Sequence, residues 1–337
     1  MTLLVHRRAV LATAFAAGAA GALAVPLRAG RADSQAFLRA DRTARIVVPF
    51  AAGGTTDLLG RLMAGILAAR LGEPFTIENR AGAAGIASAE IVARAPPDGR
   101  TLLLGTVSTA VTNQYLYRHL PYDGVESFAP VALMAEMANV LVVHPDFPAR
   151  TLQEFVGLCR AAGPHKVAYG SSGVGSAGHL AMEYLQCEAG IRLAHAAQRG
   201  RARMTRELLS GQLMVAMDTL PACLKHIRSG ALRALAVSSA ERWFAAPEIP
   251  TVAEQGFADF DATLWWYAAV PAGTRRDRVK TLSEAIVAGL KSPAATARLR
   301  GLGVRERPGT AEDLFLHIAA ENVKWKKVIA SAGLAPR

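Results

Sequence analysis

Arg45-Ile-Val-Val-Pro-Phe-Ala-Ala-Gly-Gly-Thr-Thr-Asp57 is the stretch whose reading decides the fold. An apolar strand, Ile46 to Phe50, runs into a small-residue turn that opens onto a periodic helix. Gly53 and Gly54 lack a Cβ, so the backbone can turn tightly and approach a ligand closely. Thr55, Thr56 and Asp57 are residue types that cap helix N-termini well. The first helical turn carries unpaired N–H groups and the positive end of the dipole, which suits a small anion such as a carboxylate. The same residues also fit an ordinary, well-capped strand-to-helix turn.

Working outward from it, strands and helices alternate. A helix with the stripe Leu59, Leu62, Met63, Ile66 and Leu67 is expected up to Leu71, closed by Gly72. A strand at Phe75–Ile77, a small-residue helix at Ala83–Ala93 and a Pro96-Pro97-Asp98-Gly99 turn follow. The strand Thr101–Leu104 leads into the polar loop Gly105 to Thr109. Strands are also expected at Asn139–Val143, Lys166–Tyr169, Arg192–His195, Leu213–Met217, Arg233–Val237 and Thr263–Ala269, the last holding Trp265-Trp266-Tyr267. Helices lie between them and close the chain. This alternation implies mixed, mostly parallel sheets covered by helices. Two sheets joined by two chain crossings, near Asn139–Val143 and Thr263–Ala269, place loops from both around one cleft.

The first 32 residues have the character of an export signal. Arg7-Arg8 precede a weakly hydrophobic, Ala-rich run from Ala9 to Val25, and Ala32 offers a cleavage site. The arginine pair is compatible with a twin-arginine route. The apolar run is short for a permanent span. Cleavage after Ala32 removes four arginines and no acidic residue, lowering the formal charge from +11 to +7. The basic residues are scattered and not interleaved with aromatics, so nucleic acid is not an expected partner. Cys159, Cys187 and Cys223 are far apart, which leaves either one disulfide or three thiols, and no metal-ligand spacing is present.

Gly173-Val-Gly175-Ser-Ala-Gly178 fits G-x-G-x-x-G between a strand and a helix, the context of a dinucleotide loop. The next strand ends in His195-Ala-Ala-Gln198-Arg199 and not in an acidic residue that would hold a ribose. A nucleotide-dependent oxidoreductase is therefore the alternative function. A hydrolytic pairing of Ser176 with His179 or His195 lacks the G-x-S-x-G elbow.

Taken together, several short motifs are those of a known family. They are Val48-Pro-Phe-Ala-Ala-Gly-Gly-Thr-Thr-Asp57, Glu78-Asn-Arg-Ala-Gly82, Pro97-Asp-Gly-Arg-Thr-Leu-Leu-Leu-Gly105 and Leu120-Pro-Tyr-Asp123. Further along stand Phe128-Ala-Pro-Val131, Tyr169-Gly-Ser-Ser-Gly173, Leu232-Arg-Ala-Leu-Ala-Val237, Pro250-Thr-Val-Ala-Glu254 and Trp325-Lys-Lys-Val-Ile329. In this order the chain resembles the periplasmic, Bug-type substrate-binding proteins of tripartite tricarboxylate transporters, from about Thr43 to Leu334.

The resemblance implies a two-domain α/β periplasmic-binding-protein (venus flytrap) fold, type II-like, with residues 43–140 and 264–337 in one domain and 141–263 in the other. It implies a non-catalytic periplasmic receptor, a monomer without cofactor, that delivers a small carboxylate to membrane permease subunits or a sensor kinase. The candidate ligand contacts are Phe50, Gly53, Gly54, Thr55, Thr56 and Asp57 on the first loop, and Thr106 and Ser108 on the second. Ser171, Ser172, Gly173, Ser176, Gln198 and Asp218 would face them from the other domain. Asp218 could select an amino group, hold a water or serve structure alone. The family commonly reads His-Val-Pro-Tyr-Lys-Gly where this chain has His195-Ala-Ala-Gln198-Arg199-Gly200, and Arg199 either grips a carboxylate or faces solvent.

Overall fold

The computed structural model describes residues 43–334 apart from Arg199, together with residue 336. The expected export signal and the Arg199 side chain lie outside the described residues. In chain order the first elements are β1 (Ala44–Val48), α1 (Thr55–Leu71), β2 (Phe75–Asn79), α2 (Ile86–Ala93), β3 (Thr101–Thr106), α3 (Asn113–Leu116) and β4 (Phe128–Met137). Then come β5 (Asn139–Val143), α4 (Leu152–Ala162), β6 (Ala168–Ser171), α5 (Ala177–Ala189), β7 (Ala194–Ala197), α6 (Arg201–Leu209), β8 (Val215–Thr219), α7 (Leu220–Arg228) and β9 (Arg233–Val237). The chain closes with β10 (Leu264–Pro271), α8 (Arg276–Leu290), α9 (Pro293–Gly301), β11 (Arg305–Gly309) and α10 (Ala311–Ser331).

Two mixed sheets result, ordered β11-β4-β10-β3-β1-β2 and β7-β6-β8-β5-β9. β1 is parallel to both β2 and β3, and its apolar run Ile46-Val47-Val48 is fully buried on both faces. Strand side chains alternate between faces. Ile46 and Val48 share one core with Leu59, Met63 and Leu67 of α1 and Leu282, Ile286 and Leu290 of α8. Val47 and Leu103 join Ala89 and Val92 of α2 and Leu314, Ile318 and Trp325 of α10. Each of the α1 residues Leu59, Met63 and Leu67 is fully buried, contributing roughly 1.5–3 kcal/mol before entropy is counted.

The two sheets are joined at Ala138 and by residues 238–263. These connections lie side by side. The Asn139 amide nitrogen donates to Ala262 O at 2.8 Å, and its backbone N–H to Ser238 Oγ at 2.9 Å. The Ala262 N–H donates to Ser238 O at 2.8 Å. The crossings expected near Asn139–Val143 and Thr263–Ala269 thus fall immediately before the two expected strands, which are β5 and, largely, β10.

Other differences have local causes. Thr55, Thr56 and Asp57 lie inside the first turn of α1, and the N-cap is Gly54. Asp57, the third helical residue, reaches back instead to accept the Gly53 N–H at 2.9 Å. The helix expected from Ala83 starts only at Ile86, because Gly85 takes the left-handed φ of 86°. The ten-residue strand β4 was not anticipated, since Ala-Leu-Met-Ala-Glu-Met is made of helix formers. Pairing with β10 and β11 overrides that preference. All three cysteines are free, and burial pushes the Cys159 thiol up to about 11.

Candidate functional site

A cavity of about 400 Å³ opens between loops of the two sheets. From the first sheet it receives Phe50 after β1, Thr56 in the first turn of α1, Ala84, and Thr106, Val107 and Ser108 after β3. From the second sheet it receives Ser172 to Gly178 between β6 and α5, Leu180, Arg201 at the start of α6, and Asp218 and Thr219 at the end of β8. Tyr117 and Leu264 complete the lining.

The Trp265-Trp266-Tyr267 motif supports this region from behind. All three rings are buried, and each polar tip has a partner. Trp265 Nε1 donates to Glu321 Oε2 at 2.9 Å. Trp266 Nε1 donates to Thr56 Oγ1 at 3.0 Å. The Tyr267 hydroxyl meets Thr109 Oγ1 at 3.2 Å. Thr109 Oγ1 in turn accepts the Thr106 N–H at 2.9 Å, and Thr106 Oγ1 lies 2.8 Å from Ser108 Oγ. The second loop is thus ordered before a ligand arrives.

Asp57 is turned inward. Oδ2 accepts from Gly53 N and Arg61 Nε, each at 2.9 Å, and Oδ1 from Asn79 Nδ2 at 3.0 Å. Burial raises its pKa, but these hydrogen bonds outweigh that and hold the carboxyl below its ordinary value. Gly53 has φ of 84°, and a Cβ there would meet nothing within 4 Å. Its glycine is required by backbone conformation, not by space.

The opposing wall is the N-terminus of α5. Ser176 is its N-cap and accepts the His179 N–H at 3.3 Å. A Cβ on Gly178 would lie 1.9 Å from Met217 O, so only glycine lets α5 approach β8 this closely. Ser171 is fully buried behind the loop, with Oγ 2.7 Å from His195 Nε2. The His195 ring stacks on His179 at 4.1 Å and on Tyr169 at 4.8 Å, and its burial lowers its pKa to about 4.

Asp218 is 3% exposed and receives a two-point contact from Arg201, Nε to Oδ2 at 2.8 Å and the terminal nitrogen to Oδ1 at 3.2 Å. Thr219 N–H adds a third bond at 2.8 Å. Arg201 is the one basic side chain in the described lining.

Of the expected contacts, Phe50, Thr56, Thr106, Ser108, Ser172, Gly173, Ser176 and Asp218 line the cavity together. Gly53, Gly54, Thr55, Asp57, Ser171 and Gln198 lie outside its lining. Sequence reasoning missed Arg201, whose signal was its place two residues past the altered Gln198-Arg199 segment. It also missed the apolar residues Val107, Val174, Leu180 and Leu264, which carry no local mark. Among the described residues no cluster of three metal-ligating side chains occurs, and no helix is long and apolar enough to cross a membrane.

The sequence model of the tripartite tricarboxylate transporter family receptor matches residues 59–334. Protein BugT of Bordetella pertussis is 32% identical over 293 residues, covering 87% of this chain and 90% of that protein. Among solved structures, a Rhodopseudomonas palustris protein with adipate superposes with a TM-score of 0.75 at 35% identity, covering 88% of this chain and 98% of that one. MatC from the same organism, with bound malate, gives 0.71 at 30% identity over 85% and 98% of the two chains. These relatives favour the receptor over the dinucleotide reading of the Gly173–Gly178 loop. The chain belongs to the tripartite tricarboxylate transporter receptor family, with the periplasmic-binding-protein fold.

Proposed function

We propose that the cavity captures a small carboxylate in the periplasm, after export through the first 32 residues, and that the protein hands it to a membrane transporter or a sensor. The observation that carries this reading is the pairing of hydroxyl-rich loops, Thr106–Ser108 from one sheet and Ser172–Ser176 at the N-terminus of α5 from the other. A helix N-terminus and hydroxyl groups favour an anion without a free cation. The single basic residue of the described lining is neutralised by Asp218. Phe50, Val107, Val174, Leu180 and Leu264 suit a hydrocarbon body between the polar ends. Adipate and malate, held by two solved relatives, belong to this class. Closure of residues 43–137 and 264–334 on residues 139–237, pivoting at the adjacent connections around Asn139 and Ala262, would enclose the ligand. No covalent step is assigned, since the Ser176 hydroxyl caps α5 and the Ser171–His195 pair lies behind the lining.

A thermal-shift screen of aliphatic and aromatic mono-, di- and tricarboxylates, each beside its amide, tests this reading. A binding carboxylate raises the midpoint, by about 2.7 kcal/mol of added stability at 100 times its dissociation constant. Equal shifts with acid and amide, or none with any acid, would overturn the reading.

A further inference from the structure

Asp218 cancels the charge of Arg201 but does not exhaust its donors. A guanidinium presents N–H groups along more than one edge of its plane. Asp218 takes the edge formed by Nε and one terminal nitrogen, at 2.8 and 3.2 Å. The edge between the terminal nitrogens has no partner among the described residues. Arg201 lines the cavity with its side chain 51% exposed, against 4% for Asp218. It is the first residue of α6, and the first turn of that helix holds no acidic residue to compete for the open edge. Asp218 is also the one acidic side chain in the described lining. Its oxygens are already engaged, Oδ2 by Arg201 and Oδ1 by both Arg201 and the Thr219 N–H. An ammonium group entering the cavity therefore meets no free carboxylate.

We infer that Arg201 selects a ligand with a second carboxylate and no amino group. The hydroxyl-rich loops hold one end, and the open edge of Arg201 holds the other. This rests on the carboxylate reading above and narrows it to an unaminated dicarboxylate. The two parallel N–H groups of a guanidinium edge match a carboxylate in shape, which a single-point acceptor does not. Asp218 holds the plane of the guanidinium by two points, so the open edge is ordered before a ligand arrives. Two carboxylates then share one cation, and the exposure of Arg201 lets solvent screen their repulsion. Lysine at this position would keep an ion pair with Asp218 but would offer no second fork.

The test is calorimetric titration of succinate, glutarate, adipate, pimelate and suberate, each beside its monoamide, and of 2-aminoadipate beside adipate. The proteins are the wild type, Arg201→Lys, and the uncharged pair Arg201→Gln with Asp218→Asn. The quantity read is the ratio of diacid to monoamide affinity, because general damage to the cavity weakens both alike. At the best-fitting length the wild type should bind the diacid at least about ten-fold tighter than its monoamide, as one charge-assisted contact implies. In both variants this advantage should collapse to a few-fold. Wild-type protein should bind 2-aminoadipate several-fold more weakly than adipate. Carboxylates that bind with no diacid advantage, an advantage retained in either variant, or 2-aminoadipate bound as tightly as adipate would overturn this inference and leave the carboxylate reading standing. Failure of the wild type to bind any acid would overturn the reading itself, and this inference with it.

Discussion

The indole N–H of Trp266 donates to the Thr56 hydroxyl at 3.0 Å across 210 residues of chain. Through this contact β10, the strand that returns the chain to the first sheet, fixes the first turn of α1 at the cavity wall. We predict that Trp266→Phe lowers stability by about 1–3 kcal/mol, from the lost bond and the space left behind. It should also weaken binding of whichever carboxylate stabilises the protein most. Thermal unfolding and calorimetry measure the two effects. Unchanged affinity in a folded Trp266→Phe protein would show that Thr56 needs no such support.

Arg201 and Asp218 are expected to behave as a unit. Arg201 is half exposed while Asp218 is buried, so solvent screens one partner only. Arg201→Ala leaves a buried carboxylate with the Thr219 N–H alone and should cost about 1–2 kcal/mol after screening. Asp218→Asn should cost less, and the double variant less than the sum of the two. Additive losses in a denaturation cycle would mean that the pair is uncoupled.

Two glycines should fail for different reasons. Gly178→Ala forces a Cβ against Met217 O, so α5 must shift off β8, at about 1–3 kcal/mol or more. Gly53→Ala meets open space but must hold φ of 84°, at about 1–2 kcal/mol. Structures of the two variants should show displacement of α5 in the first and an undisturbed fold in the second.

Acid should destabilise the protein in a defined window. Burial holds His195 at about 4, and burial above all holds His317 at about 4 as well. In the unfolded chain each titrates near 6.5. Between those values the unfolded chain takes up protons that the native state refuses, so stability is full above pH 6.5, falls from there to about pH 4, and then levels for these groups. Asp57 and Glu321, both held below their ordinary values, contribute stability that is lost at lower pH still. His195→Asn should flatten part of the slope between pH 6.5 and pH 4. An unaltered slope would place the effect elsewhere.

Much of this arrangement was legible in the sequence because local chemistry and tertiary role agree there. β1, its glycine turn and the stripe of α1 are examples, as are the strand β5 and the Ser-rich loop before α5. Where they disagree, local sequence does not display the arrangement. β4 is written in helix formers and exists because β10 and β11 flank it. Asp57 has the residue type of a ligand contact or cap, yet Gly53, Arg61 and Asn79 occupy its oxygens. The Arg201–Asp218 pair joins residues 17 apart on a helix and a strand, which no spacing rule brings together.

The central claim is that loops of both sheets hold one ligand. Calorimetric titration of the carboxylate giving the largest thermal shift into Ser108→Ala, Ser172→Ala and the double variant tests it most directly. Each hydroxyl lost should weaken binding by about 1 kcal/mol, roughly five-fold, with folding intact. Weaker binding in both single variants, and weaker still in the double, is the predicted result. Wild-type affinity in either single variant would confine the ligand to one sheet's loops and contradict the clasp.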